Sequence, residues 1–281
     1  MLPLLTILIT LKKDGCMNLN FERSIFLEKL IDTHVHFNEL KKNSIDIHYL
    51  INECLKNGFS YFLDIGLHPS DFYERKQLLN TYPNISLTVG IHPLNKALRD
   101  DFELIESILK KENVVAVGEI GLDYFKGDNK SEQIEALNIQ LDLASKYKKP
   151  VILHVRDAYD DIYNIIKSSN FINRGILHCY SGNYEYAKKF IDFGFKISFA
   201  GNLTFKNSEP LRGVLKKLNI EDILIETDSP FLAPVPLRGK INAPCFLGYT
   251  CLEIAKIKNC DVDSVIVALY DNFKDLFNDL I

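Results

Sequence analysis

The sequence has no excess of positive charge. Its 281 residues include 33 lysines and arginines against 37 aspartates and glutamates, which gives a formal net charge of -4. Proteins that bind nucleic acid on a broad basic surface gain affinity by displacing counterions from the phosphates. This chain has no excess of positive charge that would attract nucleic acid in this way. An anionic substrate would therefore have to be held locally, by metal ions or by a few cations.

Paired cysteines and long apolar runs are also lacking. The six cysteines form no C-x-x-C motif, which argues against a zinc ribbon or a disulfide framework and favours a reducing cytoplasm. The apolar first ten residues, MLPLLTILIT, are too short to cross a bilayer and are followed, not preceded, by lysines, unlike a secretory signal. We therefore predict a cytoplasmic protein with no membrane partner.

No glycine-rich loop follows the first strand-like run, where a doubly wound nucleotide-binding sheet would more often have one. Instead, short β-rich runs alternate with amphipathic stretches such as residues 131–149. Several runs are continuous in valine, isoleucine and leucine, as parallel strands buried on both faces are. Repeated β-α-β crossovers predict an α/β fold, a (β/α)8 TIM barrel. Its eight strands are predicted at residues 30–37, 61–66, 86–92, 114–121, 150–155, 175–181, 196–201 and 223–230.

The chain is expected to form one catalytic domain over residues 30–281, because 281 residues, 47% of them hydrophobic, can bury one large core. Residues from about 247 onward are predicted to be two closing helices. Residues 1–29 are predicted to be an N-terminal extension. Met17, the only methionine after the first, is a candidate natural start, which would make residues 1–16 dispensable.

Two histidines two residues apart end the first predicted strand. His34 and His36 should point to the same side of that strand, since side chains alternate, and could share one metal ion. An isolated H-x-H pair is more often accidental, with histidines packed in a core or exposed on a surface. Here, further donors end other strands.

Glu119, His154 and His178 each lie at or near the end of a further predicted strand. The active site of a TIM barrel forms where the carboxyl ends of its strands meet, so these side chains should converge with the first histidine pair. Imidazoles suit zinc, manganese or iron, and a carboxylate can bridge two ions. The alternative for Glu119 is an ion pair with Arg156 or a lysine.

Asp228 ends the eighth predicted strand, in ILIETDSP. Its carboxylate could contact one ion and accept a proton from a metal-activated water. The alternative is a helix N-cap, because aspartate before serine and proline is common there. Glu226 lies two residues earlier, but its deeper position makes it less available.

Seven ordered strings together resemble the TatD family of metal-dependent deoxyribonucleases: IDTHVHF, GIHP, GEIGLDY, ILHVRDA, LHCYSG, FAGNLTFK and ETDSPFLAPVPLRGK. The resemblance covers about residues 31–276 and implies an amidohydrolase-like metal-dependent hydrolase barrel. It also implies a binuclear centre of divalent ions, zinc, manganese or magnesium. By this resemblance the first ion is held by His34 and His36, the second by His154 and His178, Glu119 bridges them, and Asp228 binds the first ion and handles the proton.

The same resemblance places His92, in GIHP, near a substrate phosphate, although a plain turn residue before Pro93 is the alternative. Family members usually read RGKRNEP where this chain has RGKINAP at residues 238–244, so that Ile241 replaces a cation and Ala243 replaces a carboxylate. These departures concern the contacts with outlying phosphates or the packing of that loop, not the metal chemistry. Arg238 is retained and is a predicted substrate contact. Further candidates for phosphate contacts are Arg156, Lys206 and Lys240. For all four cations the alternative is a solvated side chain on the surface.

Taken together, these observations predict a hydrolase acting on ester bonds, a deoxyribonuclease of the 3′–5′ exonuclease type. Action on short single-stranded DNA ends fits the acidic composition better than binding of a long duplex. We also predict a monomer. The alternative is an amidohydrolase, esterase or deacylase with another substrate, including aminoacyl-tRNA. Many amidohydrolases would have a bridging lysine where this chain has Glu119. A metal-stabilised binding protein without turnover is a third hypothesis.

Overall fold

A computed structural model describes residues 7–11, 17–21, 29–169, 171 and 174–277 of the chain. Within them, eight parallel strands form one sheet in which each strand pairs with its neighbour in sequence. The strands are β3 (Leu30–Val35), β4 (Phe59–Asp64), β5 (Ile85–Val89), β6 (Val114–Asp123), β7 (Val151–Arg156), β8 (Gly175–Leu177), β9 (Phe195–Phe199) and β10 (Ile223–Ile225).

The sheet closes into a nearly complete barrel where its last strand meets its first. Val35 and Ser229 form a parallel bridge, the amide of His36 donates to the carbonyl of Ser229 at 3.0 Å, and the amide of Asp228 donates to the carbonyl of His34 at 2.9 Å. The closing contacts therefore join the two segments that carry three of the predicted metal ligands. The predicted TIM barrel is confirmed.

Helices cross back between the strands, as β-α-β connections require. They are α1 (Phe37–Lys42), α2 (Ile47–Lys56), α3 (Phe72–Leu79), α4 (Arg99–Lys111), α5 (Lys130–Lys146), α6 (Tyr159–Ser168), α7 (Tyr184–Asp192), α8 (Glu209–Lys217), α9 (Leu247–Lys258) and α10 (Val262–Leu276). The last two correspond to the predicted closing helices. None of the described helices is long and apolar enough to cross a membrane.

The barrel interior is packed with apolar side chains and is closed at one end by α10. Phe273 and Leu276 of this helix join inward-facing residues from the starts of the strands, among them Ile31 and Leu224, in one buried cluster. These contacts block the amino-terminal end of the barrel. The opposite end, where the strands finish, remains for an active site.

Six of the eight predicted strands extend past the observed carboxyl ends. The overshoot is two or three residues for the predictions at 30–37, 61–66, 86–92 and 196–201, and it is larger for the remaining two. The predictions for residues 175–181 and 223–230 are wrong at their carboxyl ends, because β8 stops at Leu177 and β10 at Ile225. Cys179 and Asp228 have left-handed backbones, with φ of 43° and 55°, and such a residue cannot continue a strand. His178 and Asp228 therefore lie in the loops that follow their strands.

The predicted N-terminal extension is described only in part. Residues Ile7–Leu11 (β1) and Met17–Phe21 (β2) pair as antiparallel strands, and the barrel begins at Leu30. The rest of residues 1–28 lies outside the described residues, so the alternative start at Met17 stays a prediction.

Candidate metal centre

The six predicted metal ligands come together at the carboxyl-terminal end of the barrel. Three lie in the strands β3, β6 and β7, and the others lie just beyond β3, β8 and β10; they are His34, His36, Glu119, His154, His178 and Asp228. All but His34, which is fully buried, line an open cavity of about 670 Å³. Residues up to 194 positions apart in sequence thus share one site because parallel strands end at one edge.

The first group of donor atoms is built on the histidine pair. The Nε2 atoms of His34 and His36 are 3.1 Å apart. Glu119 Oε2 lies 3.3 Å from His34 Nε2 and 3.7 Å from His36 Nε2, and Asp228 Oδ1 lies 3.7 Å and 3.5 Å from the same atoms. Two imidazole nitrogens and two carboxylate oxygens therefore face one another.

A second group lies on the other side of the Glu119 carboxylate. Its Oε1 atom is 2.9 Å from His154 Nδ1 and 2.8 Å from His178 Nε2, and those two nitrogens are 3.2 Å apart. Each oxygen of Glu119 is thus directed at a different pair of histidines. This is the arrangement expected of a carboxylate that bridges two ions.

Every ion-pair partner recorded for Glu119 in the described chain is a histidine. Burial alone would raise the pKa of this carboxyl, but electrostatic interactions with His178 and His92, together with hydrogen bonds from His154 and His178, outweigh burial and hold the pKa well below its usual range. Glu119 is therefore a buried anion that no lysine or arginine among the described residues neutralises, contrary to the alternative of an ion pair with Arg156.

Histidine charges in the site are set by opposing influences. Burial lowers the pKa of His34 to about 3, so its imidazole is neutral and has a lone pair to offer. Burial would lower the pKa of His36 too, but the hydrogen bond to Asp228 and the charge of Glu119 raise it to about 9. Protons thus occupy places in this site where a divalent cation could bind instead.

Three of the histidines have their second ring nitrogen fixed by the protein. His36 Nδ1 donates to the carbonyl of Ile65 at 3.0 Å, and His154 Nε2 donates to Asp123 Oδ2 at 3.1 Å. Such bonds orient the ring and leave the other nitrogen free to bind a metal.

His178 is fixed in the same way by Glu226. His178 Nδ1 donates to Glu226 Oε1 at 3.3 Å, and the backbone amide of Cys179 donates to the same oxygen at 2.6 Å. Glu226 Oε2 and His34 Nδ1 are buried with no hydrogen-bond partner among the described atoms. Since the donors that converge here are imidazole and carboxylate groups, the site fits a divalent metal ion of the zinc or manganese type.

Two residues that support the ligands were not predicted in that role. Asp123 lies four positions after Glu119 in β6 and therefore on the same side of the strand, so the alternation in GEIGLDY was a usable signal. For Glu226 the sequence predicts only that its deeper position makes it less available than Asp228. Its burial is what lets it orient His178.

The predicted substrate contacts are placed differently from one another. His92 lines the cavity, and its Nε2 lies 3.4 Å from Glu119 Oε1; burial lowers its pKa to about 4. Arg156 also lines the cavity, whereas Arg238, Lys206 and Lys240 do not. The guanidinium of Arg238 instead stacks over the ring of Phe205 at 4.4 Å.

Asp228 does not cap a helix. The residues that follow it form a bridge and turns, and no helix begins before Pro244 in this part of the described chain. Its left-handed backbone and its contacts with His34 and His36 place its carboxylate at the metal centre.

Comparisons with known proteins agree with this geometry. Residues 31–278 match the model of a family described as TatD related DNase. A metal-dependent hydrolase of Buchnera aphidicola is 37% identical over 89% of this chain and 99% of its own length, and the metal-dependent hydrolase YcfH of Escherichia coli is 33% identical over 89% and 96%. The crystal structure of YjjV, a TatD homolog from Escherichia coli, superposes with a TM-score of 0.82 at 29% identity and covers 89% of this chain and 98% of that one. This chain belongs to the TatD family and is a metal-dependent hydrolase.

Proposed function

We propose that this protein removes nucleotides from single-stranded DNA ends, in the 3′ to 5′ direction, by hydrolysing phosphodiester bonds at a centre of two divalent ions. The main support for the proposal is the position of the Glu119 carboxylate. One of its oxygens faces the His34–His36 pair, and the other faces the His154–His178 pair. A single shared carboxylate between two such groups suits a pair of ions that clamps one phosphate.

Each residue of the centre has a distinct part in this proposal. His34, His36 and Asp228 would hold one ion, His154 and His178 the other, and Glu119 both. Divalent ions held there supply Lewis acidity, which makes water nucleophilic near neutral pH and offsets negative charge on a phosphate. Neutral His34 and the fixed rings of the other histidines keep their nitrogens directed inward before any ligand arrives, which reduces the cost of ordering the site.

Asp228 is the proposed general base. Its carboxylate is at the cavity wall, Oδ1 lies 3.5 Å from His36 Nε2, and the residue is 9% exposed. An attacking water at the mouth of the site would lie within reach of this carboxylate, which would accept the water proton as the new oxygen–phosphorus bond forms and the bond from phosphorus to the 3′ oxygen of the preceding nucleotide breaks. The products would be a nucleoside 5′-monophosphate and a shortened strand whose 3′ oxygen takes up a proton.

The substrate follows from the charges around the cavity. Lys126 and Arg156 line it, and no carboxylate of the described chain pairs with either side chain. A few local cations suit a short single-stranded end, because a chain with a net charge of -4 has no broad basic surface for a duplex.

We propose that the protein acts as a monomer. The described cysteines are all free, which fits the proposed reducing cytoplasm.

The direct test is a cleavage assay with purified protein and added Mn²⁺, Zn²⁺ or Mg²⁺. We expect 5′-labelled single-stranded DNA to shorten one nucleotide at a time, faster than duplex DNA or RNA, and EDTA to stop the reaction. A carboxylic ester and an aminoacyl-tRNA serve as competing substrates. Hydrolysis of either of these with no cleavage of DNA would overturn the proposal in favour of an esterase or deacylase.

A further inference from the structure

Phe125 is an exposed aromatic ring at the mouth of the metal cavity. The residue lies two positions after the end of β6, lines the cavity and is 63% exposed. Large apolar side chains in such a position leave apolar surface in water at a place where ligands enter. The ring is therefore available to a flat partner.

The position of this ring is fixed by a side chain that also supports the metal centre. The backbone amides of Phe125 and Lys126 donate to Asp123 Oδ1 at 3.0 and 2.8 Å. The other oxygen of the same carboxylate, Oδ2, accepts from His154 Nε2 at 3.1 Å. One buried aspartate thus sets the distance between the aromatic ring and the proposed ligands of the second ion.

A guanidinium covers part of the same ring. The Cζ atom of Arg156 lies 4.9 Å from the centre of the Phe125 ring, and Arg156 also lines the cavity. Because it follows His154 by two positions on β7, it projects to the same side of that strand. None of the described carboxylates forms an ion pair with Arg156, so its charge is available to a ligand.

We propose that Phe125 and Arg156 form a base platform, on which the nucleobase next to the hydrolysed phosphate stacks. Proteins that bind single-stranded nucleic acids without sequence preference use aromatic faces and nearby guanidinium groups. Every base has a π-face that can stack on the aromatic ring, and the cation contacts the backbone. The inference rests on the proposed function, because it names the part of the substrate that this rim of the site holds.

Phe231, the other exposed aromatic of the cavity wall, is less suited to this role. It is 49% exposed, and its ring packs edge-on against the imidazole of His36, with centroids 6.0 Å apart. Part of its surface is therefore already used to support a proposed metal ligand, whereas the ring of Phe125 has a free face.

The test measures binding of oligonucleotides to the metal-loaded protein. The probe is a single-stranded hexanucleotide with slowly cleaved phosphorothioate linkages and a 3′-terminal 2-aminopurine, whose fluorescence falls on stacking; a second hexanucleotide carries an abasic tetrahydrofuran unit at that end. Phe125→Ala and Phe125→Leu remove the π-face, and Phe125→Trp restores it. Tyr73→Ala, at a residue 49% exposed on α3 and outside the cavity, is the matched control.

We expect Phe125→Ala and Phe125→Leu to weaken binding of the base-bearing probe by about 5-fold to about 150-fold, the range for loss of one stacked base, and to abolish the fluorescence quench. Binding of the abasic probe should not change, and Phe125→Trp and Tyr73→Ala should behave like the original protein. Equal weakening of both probes, or no weakening of either, would overturn the platform, and so would retention of the quench in Phe125→Leu.

A different set of results would overturn the proposed nuclease function. If unmodified DNA is not cleaved while the 2-aminopurine probe is bound and quenched through Phe125, the platform stands and the nuclease proposal falls. If DNA is cleaved with no preference between base-bearing and abasic ends, the nuclease proposal stands and the platform falls.

Discussion

Glu119 Oε1 lies 2.8 Å from His178 Nε2, while the other oxygen of the same carboxylate faces away from His178, toward the opposite side of the centre. There, Oε2 lies 3.3 Å from His34 Nε2. The rings of His34 and His178 stack with centroids 3.9 Å apart. One carboxylate therefore contacts two histidine groups whose nearest rings stack directly on each other. Metal binding by both groups should depend on Glu119.

Glu119→Gln should separate the two groups. The amide keeps the size of the side chain, but it carries no charge and has one oxygen, so it cannot serve two ions. We expect the number of tightly bound ions per chain to fall from two to one or fewer, and hydrolysis to fall by at least about 100-fold, as when a group that stabilises the transition state is lost. Metal analysis after gel filtration and circular dichroism would check this; Glu103→Gln, on the exposed surface of α4, is the control. Two ions retained in Glu119→Gln would contradict the prediction.

Asp123→Asn should weaken one ion selectively. The carboxylate of Asp123 accepts from His154 Nε2 and so leaves Nδ1 for the metal; burial would raise the pKa of Asp123, but the hydrogen bond from His154 outweighs it and lowers the pKa to about 2. Loss of such a supporting partner typically costs 10- to 100-fold in metal affinity, about one to two decades. Competition titrations should show this loss for one ion and little change for the other. The comparison is Asp161→Asn, which removes the charge of the carboxylate that accepts from the Tyr124 hydroxyl. An equal loss of affinity at both ions in Asp123→Asn would count against this assignment.

Gln140→Met should destabilise the fold. Gln140 is 1% exposed, and its Oε1 accepts from the amide of Ile91 at 2.7 Å, next to His92. The methionine cannot accept this bond well, so the buried amide is left without a partner, at a cost of about 1–3 kcal/mol. Urea unfolding of the metal-free protein measures the loss. Asn138→Ala, on the exposed side of the same helix, should stay within about 0.5 kcal/mol; equal midpoints for the two variants would refute the role of Gln140.

Metal affinity should rise with pH up to about pH 9. Contacts with Asp228 and Glu119 hold the pKa of His36 at about 9 against the effect of burial, so below that pH a proton occupies the site and must leave when an ion binds. Each proton displaced lowers the affinity about tenfold for every pH unit below its pKa. Calorimetry at pH 6, 7 and 8 in buffers of different ionisation enthalpy would count the protons released. An affinity independent of pH over this range would show that His36 is neutral without metal.

Much of the barrel and of the centre could be predicted because both depend on local sequence pattern. Apolar runs specify strands buried on both faces, and the ends of parallel strands meet at one edge, so residues that end different runs, such as His34 and His154, converge without any knowledge of distances. The family resemblance then supplied the division into two groups, which the distances around Glu119 reproduce.

What the sequence could not show are contacts between elements that have no common pattern. Gln133 and Gln140 look like ordinary polar residues of a helix, yet both are buried and bond the backbone of Asp123 and Ile91 at the strand ends. Asp228, three residues beyond the end of β10, has a left-handed backbone, which no propensity for aspartate requires. These features appear only when the helices and strands pack.

Hydrolysis of DNA ends by two ions can be followed by adding Mn²⁺ in small steps to metal-stripped protein while bound ions and cleavage of single-stranded DNA are measured in parallel. We expect cleavage to stay low while the first equivalent binds and to rise as the second binds, and we expect His154→Ala to bind one ion and remain inactive. Full activity with one ion per chain, or undiminished cleavage by His154→Ala, would contradict this expectation.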